Sequence, residues 1–442
     1  MPAGPLARVW LISGNRGVVL APENHTPHPQ VSLPLFRPTP RLFDGKPKRL
    51  SVLGATGSIG DSTFAVVRAQ PEAFNIVALV GGRNAKKMAT LVAEFAPQMV
   101  AMADEEAARE LRDLLPIDGE RPEIGAGRQA VLEASAMPAD VTVGAITGFA
   151  GLEPVLAAIG AGNDIALANK ESMVCAGPFV LAAAREAQVD ILPTDSEHSA
   201  LFQGLLGQDL TAVSTLTLTA SGGPFRALPP SELANVSVEQ ALAHPNWSMG
   251  SKVTIDSATM MNKGLELIEA RWLFDMAPEC LDAVIHPQSI AHSIVGFYDG
   301  SFLVQMGMPT MITPVAVALG WPQRLDLRAH DAAAAANDPA KAFAQWSGLT
   351  FEAVDADRFP CFALAQQAMR DGLRSCIVLN AANELAVEAF LAGHIPFQGI
   401  AGAVEHLLSQ ADDAGNASIT SLEDVSAVDA WARRSFEATF PS

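Results

Sequence analysis

Positive charge is scarce in this 442-residue chain: 29 lysines and arginines stand against 48 aspartates and glutamates, a formal net charge of -19. That balance argues against nucleic acid or an anionic membrane as the main partner, and any anionic ligand must be met by local positive groups. Cysteine is almost as sparse. Cys175, Cys280, Cys361 and Cys376 stand far apart, with no pair at metal-ligand or redox spacing, which reads as reduced thiols in a cytosolic protein. Long apolar runs are missing too. The nearest candidate, Val141 to Gly162, is broken by Glu153 and Pro154 and reads as a buried strand, a turn and a helix. Val9 to Ile12 is too short for a secretory core. There are no internal repeats.

What is present is ample apolar material, 49% of residues, over a length that suggests about three domains. Residues 1–46 are proline-rich and aperiodic, so a disordered extension is expected there, either a translated leader or a weak transit peptide. Order begins at Arg49. An apolar strand (Arg49 to Leu53) leads through Gly54-Ala55-Thr56-Gly57-Ser58-Ile59-Gly60 into a helix-like stretch, Asp61 to Gln70. Further strands are expected at Asn75 to Val80, Met99 to Met102, Val141 to Ala145 and Asp164 to Ala168. Strands alternating with helices mean βαβ units and a parallel sheet. From about Asp195 the texture changes. Thr211 to Ala220 alternates threonine with apolar residues, a half-exposed strand; a strand over Lys252 to Ile255 and a long helix from Asp256 follow. Asp331 and the alanines after it read as a helical connector. From about Phe351 the periodicity is helical throughout.

The glycine turn lets backbone N–H groups and a helix N-terminus approach a pyrophosphate. Its G-x-x-G-x-x-G spacing also suits a merely structural tight turn. An NAD site would place an acid at the end of the second strand to hold the ribose 2′-hydroxyl. This chain offers Gly82, Arg83 and Asn84 instead, a cation suited to a 2′-phosphate, which points to NADPH. An ordinary surface arginine remains the alternative for Arg83.

A second constellation carries charge. Asn169-Lys170-Glu171 closes one apolar strand, and Thr194-Asp195-Ser196-Glu197 forms the next such edge. In extended chain residues i and i+2 share a side, so Asp195 and Glu197 converge and call for a bridging cation such as Mg²⁺ or Mn²⁺. A solvated turn would also accommodate the pair. In the helix from Asp256, Met261, Leu265, Ile268 and Trp272 form an apolar stripe, while Asn262, Lys263 and Glu266 share another face. With Ser257, that face gathers groups suited to a phosphate and to a metal. The loop from Ser221-Gly222-Gly223 to His244-Pro245-Asn246-Trp247-Ser248-Met249-Gly250 has a tryptophan between glycines, as in a lid that excludes water, or in a loop packed on its own domain. His286 and His292 are assigned to the interior.

Together these motifs resemble one family, the 1-deoxy-D-xylulose 5-phosphate reductoisomerases. The matching stretches are Gly54–Gly60, Ala168–Ser172, Pro193–His198, Ala220–Phe225, His244–Gly250 and Asp256–Phe274, with Asn380-Ala-Ala-Asn-Glu-Leu-Ala near the end. The likeness runs from about Lys48 to the C-terminus. Two departures are the N-terminal extension and Ala55, where serine is frequent.

The resemblance implies an α/β protein forming a V-shaped homodimer, with four regions after an extension at 1–46. These are a Rossmann-like NADPH domain (47–194), an α/β catalytic and dimerisation domain (195–320) with a flexible lid (221–250), a connector (321–350) and a C-terminal helical bundle (351–442). It implies that Asp195, Glu197 and Glu266 hold Mg²⁺ or Mn²⁺, with Co²⁺ as a further option. Lys170, Glu197 and Glu266 would be catalytic, and Lys170 and Ser196 would contact the reacting end of the substrate. Ser221, Ser257, Asn262 and Lys263 would take the phosphate, with His244 beside them and Trp247 and Met249 covering the site. Thr56, Gly57, Ser58, Ile59, Gly82, Arg83, Asn84, Asn169, Glu171 and Gly250 would bind NADPH. The implied reaction rearranges 1-deoxy-D-xylulose 5-phosphate, by retro-aldol and aldol steps or a direct shift. Reduction then gives 2-C-methyl-D-erythritol 4-phosphate, in isoprenoid precursor synthesis. The expected setting is a bacterial cytoplasm, the extension leaving an organelle open. The competing readings are another Rossmann-type NADPH reductase, which would not require the three carboxylates, and a non-catalytic NADPH-binding sensor.

Overall fold

The computed structural model describes residues 45–116, 121–243, 249–328, 343–344, 346–414 and 418–440. The expected extension at 1–46, apart from its last two residues, and the alanine-rich connector after Asp331 therefore lie outside the described residues.

Seven parallel strands form the first sheet: β1 (Lys48–Leu53), β2 (Phe74–Gly81), β3 (Met99–Met102), β4 (Glu123–Ala126), β5 (Val141–Gly144), β6 (Asp164–Leu167) and β7 (Ile191–Pro193). Their order is β4-β3-β2-β1-β5-β6-β7. The chain thus starts at the centre, builds one half outward, and crosses back to build the other from β5. Helices α1 (Ser58–Ala69), α2 (Ala85–Phe95), α3 (Glu105–Leu114), α4 (Gly127–Ser135), α5 (Leu152–Gly160) and α6 (Lys170–Ala187) make the crossovers. Leu50, Val52, Leu53, Val143 and Ile165 are buried, as expected for strands covered on both faces. The reversal between β1 and β5 leaves a crevice at their carboxyl ends, where ligands of such sheets bind.

The second sheet is mixed, in the order β11-β10-β8-β9-β12. Its strands are β8 (Val213–Ala220), β9 (Leu281–Ile285), β10 (Ala291–Phe297), β11 (Phe302–Met306) and β12 (Glu352–Ala353). Along β8, Leu216 and Leu218 are buried, while Thr215 is exposed and Thr217 half-buried, the alternation legible in the sequence. Helix α7 (Ser196–Leu205) packs on β10. A short helix α8 (Val238–Ala241), then α9 (Ser251–Ala258), α10 (Met261–Leu273) and α11 (Ile312–Gly320) follow. Four helices, Pro360–Asp371, Leu373–Leu391, Gly399–Leu408 and Leu422–Thr439, pack as a C-terminal group. Helix α10 is wedged between α6 and Pro360–Asp371. Its approach to α6 depends on Gly177, where a Cβ would stand 2.5 Å from the Trp272 ring.

Three local expectations are corrected. Lys252 to Ile255 is helical within α9, although Val253 and Ile255 alternate like a strand. Lys252 pairs with Asp256 one turn on, at 2.8 Å, and burial of Thr254, Ile255 and Ala258 overrides the β-branched pattern. The long helix from Asp256 is two helices, α9 and α10, broken at Met260, whose φ of 61° is left-handed. After Phe351 the chain is not helical throughout, because β12 first pairs antiparallel with β9.

Candidate active site

A cleft of about 950 Å³ opens at the carboxyl ends of the first sheet and faces the second. Its sheet side is built by the glycine turn. Gly54 has φ +84°, and a Cβ there would meet the Ala145 carbonyl oxygen at 2.3 Å, so only glycine lets β1 turn under β5. Gly57 begins α1 with no side-chain cap, leaving the helix N-terminus open to an anion. Thr56, Gly57, Ser58 and Ile59 all line the cleft. Ile146 and Thr147 line it from the end of β5. They were not singled out from sequence, although Gly144-Ala-Ile-Thr-Gly148 is a second glycine-flanked strand end.

Gly82, Arg83 and Asn84 sit at the end of β2, outside the cleft lining. Asn84 caps α2 by accepting from the Lys87 N–H. Arg83 is 89% exposed and lies 3.4 Å from Asp104, so its guanidinium is free to turn toward a ligand along the sheet edge.

The charged wall assembles from three elements. Asn169 caps α6 by accepting from the Ser172 N–H, and its amide reaches the Glu171 carboxylate at 2.9 Å. This places Lys170 in the first turn, with its ammonium 2.8 Å from Asp195 Oδ2 and 3.2 Å from Glu266 Oε1, and donating to Asn262 Oδ1 at 2.8 Å. Asp195 and Glu197 do converge, on a different backbone from the extended one expected. Asp195 is the N-cap of α7, accepting from the Ser196 N–H, and Glu197 sits in the first helical turn. Acidic groups favour that end of a helix. Lys263 lies 2.5 Å from Glu197 Oε1 and also touches Glu266. Asn262 contacts Glu266, and Ser196 contacts Glu197.

Electrostatics follow from burial plus pairing. Burial alone would lower the Lys170 pKa, but Asp195 and Glu266 outweigh it and hold the ammonium well above its usual value. Burial opposes ionisation of Asp195, yet the cations of Lys170 and His198 pull its pKa down. Glu266 is pushed up, by burial first and then by Glu197. Three acids thus share two ammonium groups in a poorly solvated wall.

Carboxylate oxygens of Asp195, Glu197 and Glu266 all lie within 4.8 Å of one another. The buried Asp195 Oδ2, though near Lys170, makes no hydrogen bond of good geometry. An all-oxygen set with an underused buried acceptor fits a hard divalent cation such as Mg²⁺ or Mn²⁺. Ser221, Ser257, Asn262 and Lys263 line the same cleft. The last two stand in the first turn of α10, where N–H groups and an ammonium suit a phosphate. Met249 and Gly250 also line it, whereas His244 and Trp247 lie outside the described residues. The described part of the expected lid is anchored: Phe225 packs edge-on against Phe397, and Leu233 and Ala241 are buried.

Three histidines and one acid complete the picture. His286 is interior, bonded to Thr350 O and the Ile290 N–H. His292 is buried as expected but also lines the cleft, and burial lowers its pKa. His198 is fully buried behind the acids, its Nε2 donating to Glu266 O at 2.8 Å. Its Nδ1 lies 3.6 Å from Glu269. Glu269 carried no signal of its own, being one more acid on a helix until packing buried it.

The fold and site define an α/β enzyme class in which a glycine turn suited to a dinucleotide shares one cleft with a carboxylate-lined, metal-competent pocket. Comparison with known proteins narrows the class. Family models for 1-deoxy-D-xylulose 5-phosphate reductoisomerase match residues 50–177, for its C-terminal domain residues 191–274, and for a further C-terminal domain residues 306–435. The reductoisomerase of Bradyrhizobium sp. (strain ORS 278) is 47% identical over 395 residues, 89% of this chain and 94% of that protein. That of Pelotomaculum thermopropionicum is 47% identical, over 87% of this chain and 97% of its own. A crystal structure of DOX-P reductoisomerase with NADPH, fosmidomycin and magnesium superposes with a TM-score of 0.82 at 40% identity, covering 89% of this chain and 98% of that one. The Zymomonas mobilis enzyme in complex with NADPH gives 0.79 at 41% identity, covering 90% and 100%. The chain belongs to the 1-deoxy-D-xylulose 5-phosphate reductoisomerase family.

Proposed function

We propose that this chain converts 1-deoxy-D-xylulose 5-phosphate to 2-C-methyl-D-erythritol 4-phosphate with NADPH and a divalent metal ion. The observation that carries the reading is the meeting of Asp195, Glu197 and Glu266 with Lys170 and Lys263 across one cleft from the glycine turn. A simple reductase requires no such triad.

Asp195, Glu197 and Glu266 would hold Mg²⁺ or Mn²⁺, which when bound stabilises negative charge on substrate oxygens during C–C bond cleavage and formation. Thr56 to Ile59 would hold NADPH, which when bound would supply the hydride. Ser221, Ser257, Asn262 and Lys263 anchor the phosphate, a remote grip that orients the reacting carbons and retains the intermediate until reduction. Lys170 and Ser196 lie beside the acids, where they meet the hydroxyl and carbonyl end. Met249, which lines the cleft, covers the bound substrate and helps exclude water.

The chain also forms a homodimer in this reading. β11 is an edge strand whose Phe302, Leu303 and Val304 are exposed, with Tyr298 and Met308 exposed beside it. An apolar, unpaired edge is a template for pairing. Among the described residues, no helix is long and apolar enough to cross a membrane. Four free thiols suit a reducing compartment such as the bacterial cytoplasm.

The test follows NADPH absorbance on adding 1-deoxy-D-xylulose 5-phosphate, with EDTA and then with Mg²⁺ restored. Oxidation that needs both substrate and metal supports the assignment. Oxidation indifferent to EDTA would sink it.

A further inference from the structure

Behind the charged wall, a second set of buried polar side chains ties three distant parts of the chain together. Lys252, in the first turn of α9, lines the cleft just after Met249 and Gly250. Its ammonium reaches the Glu171 carboxylate of α6 at 3.1 Å and Asp256 Oδ2 at 2.8 Å. Asp256 is 1% exposed, and its other oxygen accepts from the Asn383 amide at 2.8 Å, from the helix Leu373–Leu391. Glu171 in turn accepts from Asn169, whose amide also reaches the carbonyls of Ile146 and Gly148 at 2.7 and 3.0 Å. The next residue after Asn383, Glu384, accepts from the Phe149 N–H at 2.9 Å and is held by Arg433 at 2.6 Å.

A buried acid and ammonium are tolerated only when their remaining bonds are satisfied, so each member holds the next in place. The line therefore runs from the C-terminal helices through Asp256 and Lys252 to Glu171 and Asn169. Thr254 adds a bond from α9 to the Gly250 carbonyl, at 2.9 Å. The fixed points, Asn169, Glu171 and Gly250, line the cleft and are residues that the family resemblance assigns to the nicotinamide cofactor; the inference rests on that assignment and on the proposed function.

We propose that Lys252, Asp256 and Asn383 are positioning residues that register the cofactor half of the cleft against Met249 and Gly250. Lys252 acts through Glu171, and Asn383 acts through Asp256 from outside the cleft lining.

The experiment measures NADPH affinity by fluorescence, Mn²⁺ affinity and thermal stability for wild-type protein, Lys252→Met, Lys252→Arg, Asn383→Ala and the double variant Lys252→Met/Asn383→Ala. Lys252→Met should weaken NADPH binding about tenfold, the size expected for one charge-assisted hydrogen bond, with Mn²⁺ affinity unchanged within about twofold. Lys252→Arg should recover most of the loss. Asn383→Ala should weaken NADPH binding about threefold, and combined with Lys252→Met should add almost nothing, because the two act in one line. Wild-type NADPH affinity in both single variants overturns the proposal, as does a loss shared equally by NADPH and Mn²⁺ with falling stability. If Lys252→Met fails to fold, Asn383→Ala decides alone. Absence of NADPH binding in the wild-type protein would instead overturn the functional reading beneath it.

Discussion

Lys263 holds its ammonium 2.5 Å from the Glu197 carboxylate and against that of Glu266. A side-chain cation thus occupies the same acids that a metal ion would use. A metal ion held by these acids would compete with that ammonium for them. Lys263→Ala should then have opposite effects on two ligands. Mn²⁺ should bind about threefold or more tightly, with one positive neighbour gone. The KM for the phosphorylated substrate should rise at least about tenfold, with one ammonium lost from the phosphate. Titrations with Mn²⁺ alone and steady-state kinetics separate the two. Weaker metal binding would show that Lys263 supports the acids instead of competing.

Glu197→Gln removes one anionic ligand while keeping its volume. Turnover should drop by roughly a thousandfold or more, since stabilisation of charge on substrate oxygens is lost. NADPH affinity should stay within about twofold, because Glu197 lies across the cleft from the glycine turn. Turnover and NADPH fluorescence quenching test the pair. Retained activity would remove Glu197 from the metal set.

Arg83 bears on cofactor choice. With its side chain 89% exposed and Asp104 3.4 Å away, the guanidinium has little structural work to lose. Arg83→Ala should leave the melting temperature unchanged and cut the preference for NADPH over NADH by about tenfold to a hundredfold. An unchanged preference would return Arg83 to the ordinary surface.

Thiol reactivity follows from burial. Cys361 and Cys376 are buried, and that burial pushes each thiol up to about 12. Burial and nearby acids also raise the buried Cys175 thiol well above its usual value. At pH 8 a thiol of that kind is thiolate to about one part in ten thousand. Burial also raises partly exposed Cys280, though less. Iodoacetamide at pH 8 should therefore modify native protein at Cys280 first, with the other three reacting only after unfolding. Peptide mapping by mass spectrometry checks the order.

Much of the first sheet was legible because its signals are local. Arg49 to Leu53, the glycine turn and the helix after it follow one another in the chain, so backbone sterics and apolar spacing suffice. The errors came where packing outvoted local preference. Val253 and Ile255 look like a strand, yet Lys252, Asp256 and the surrounding core make that segment a helix. The convergence of Asp195 and Glu197 was read for the wrong reason, since an N-cap, not an extended chain, brings them together.

By itself, the sequence determined the α/β class, the glycine turn and the types of side chain available to a cation and an anion. These depend on order along the chain, periodicity and chemical identity. Only the tertiary structure decided which of those side chains meet. It set Lys170 against Asp195 and Glu266, hid His198 and Glu269 behind them, and joined Asn383 to Asp256 across 127 positions. Such contacts rest on the burial and packing of whole helices, and no short window of residues records how two distant helices will lie.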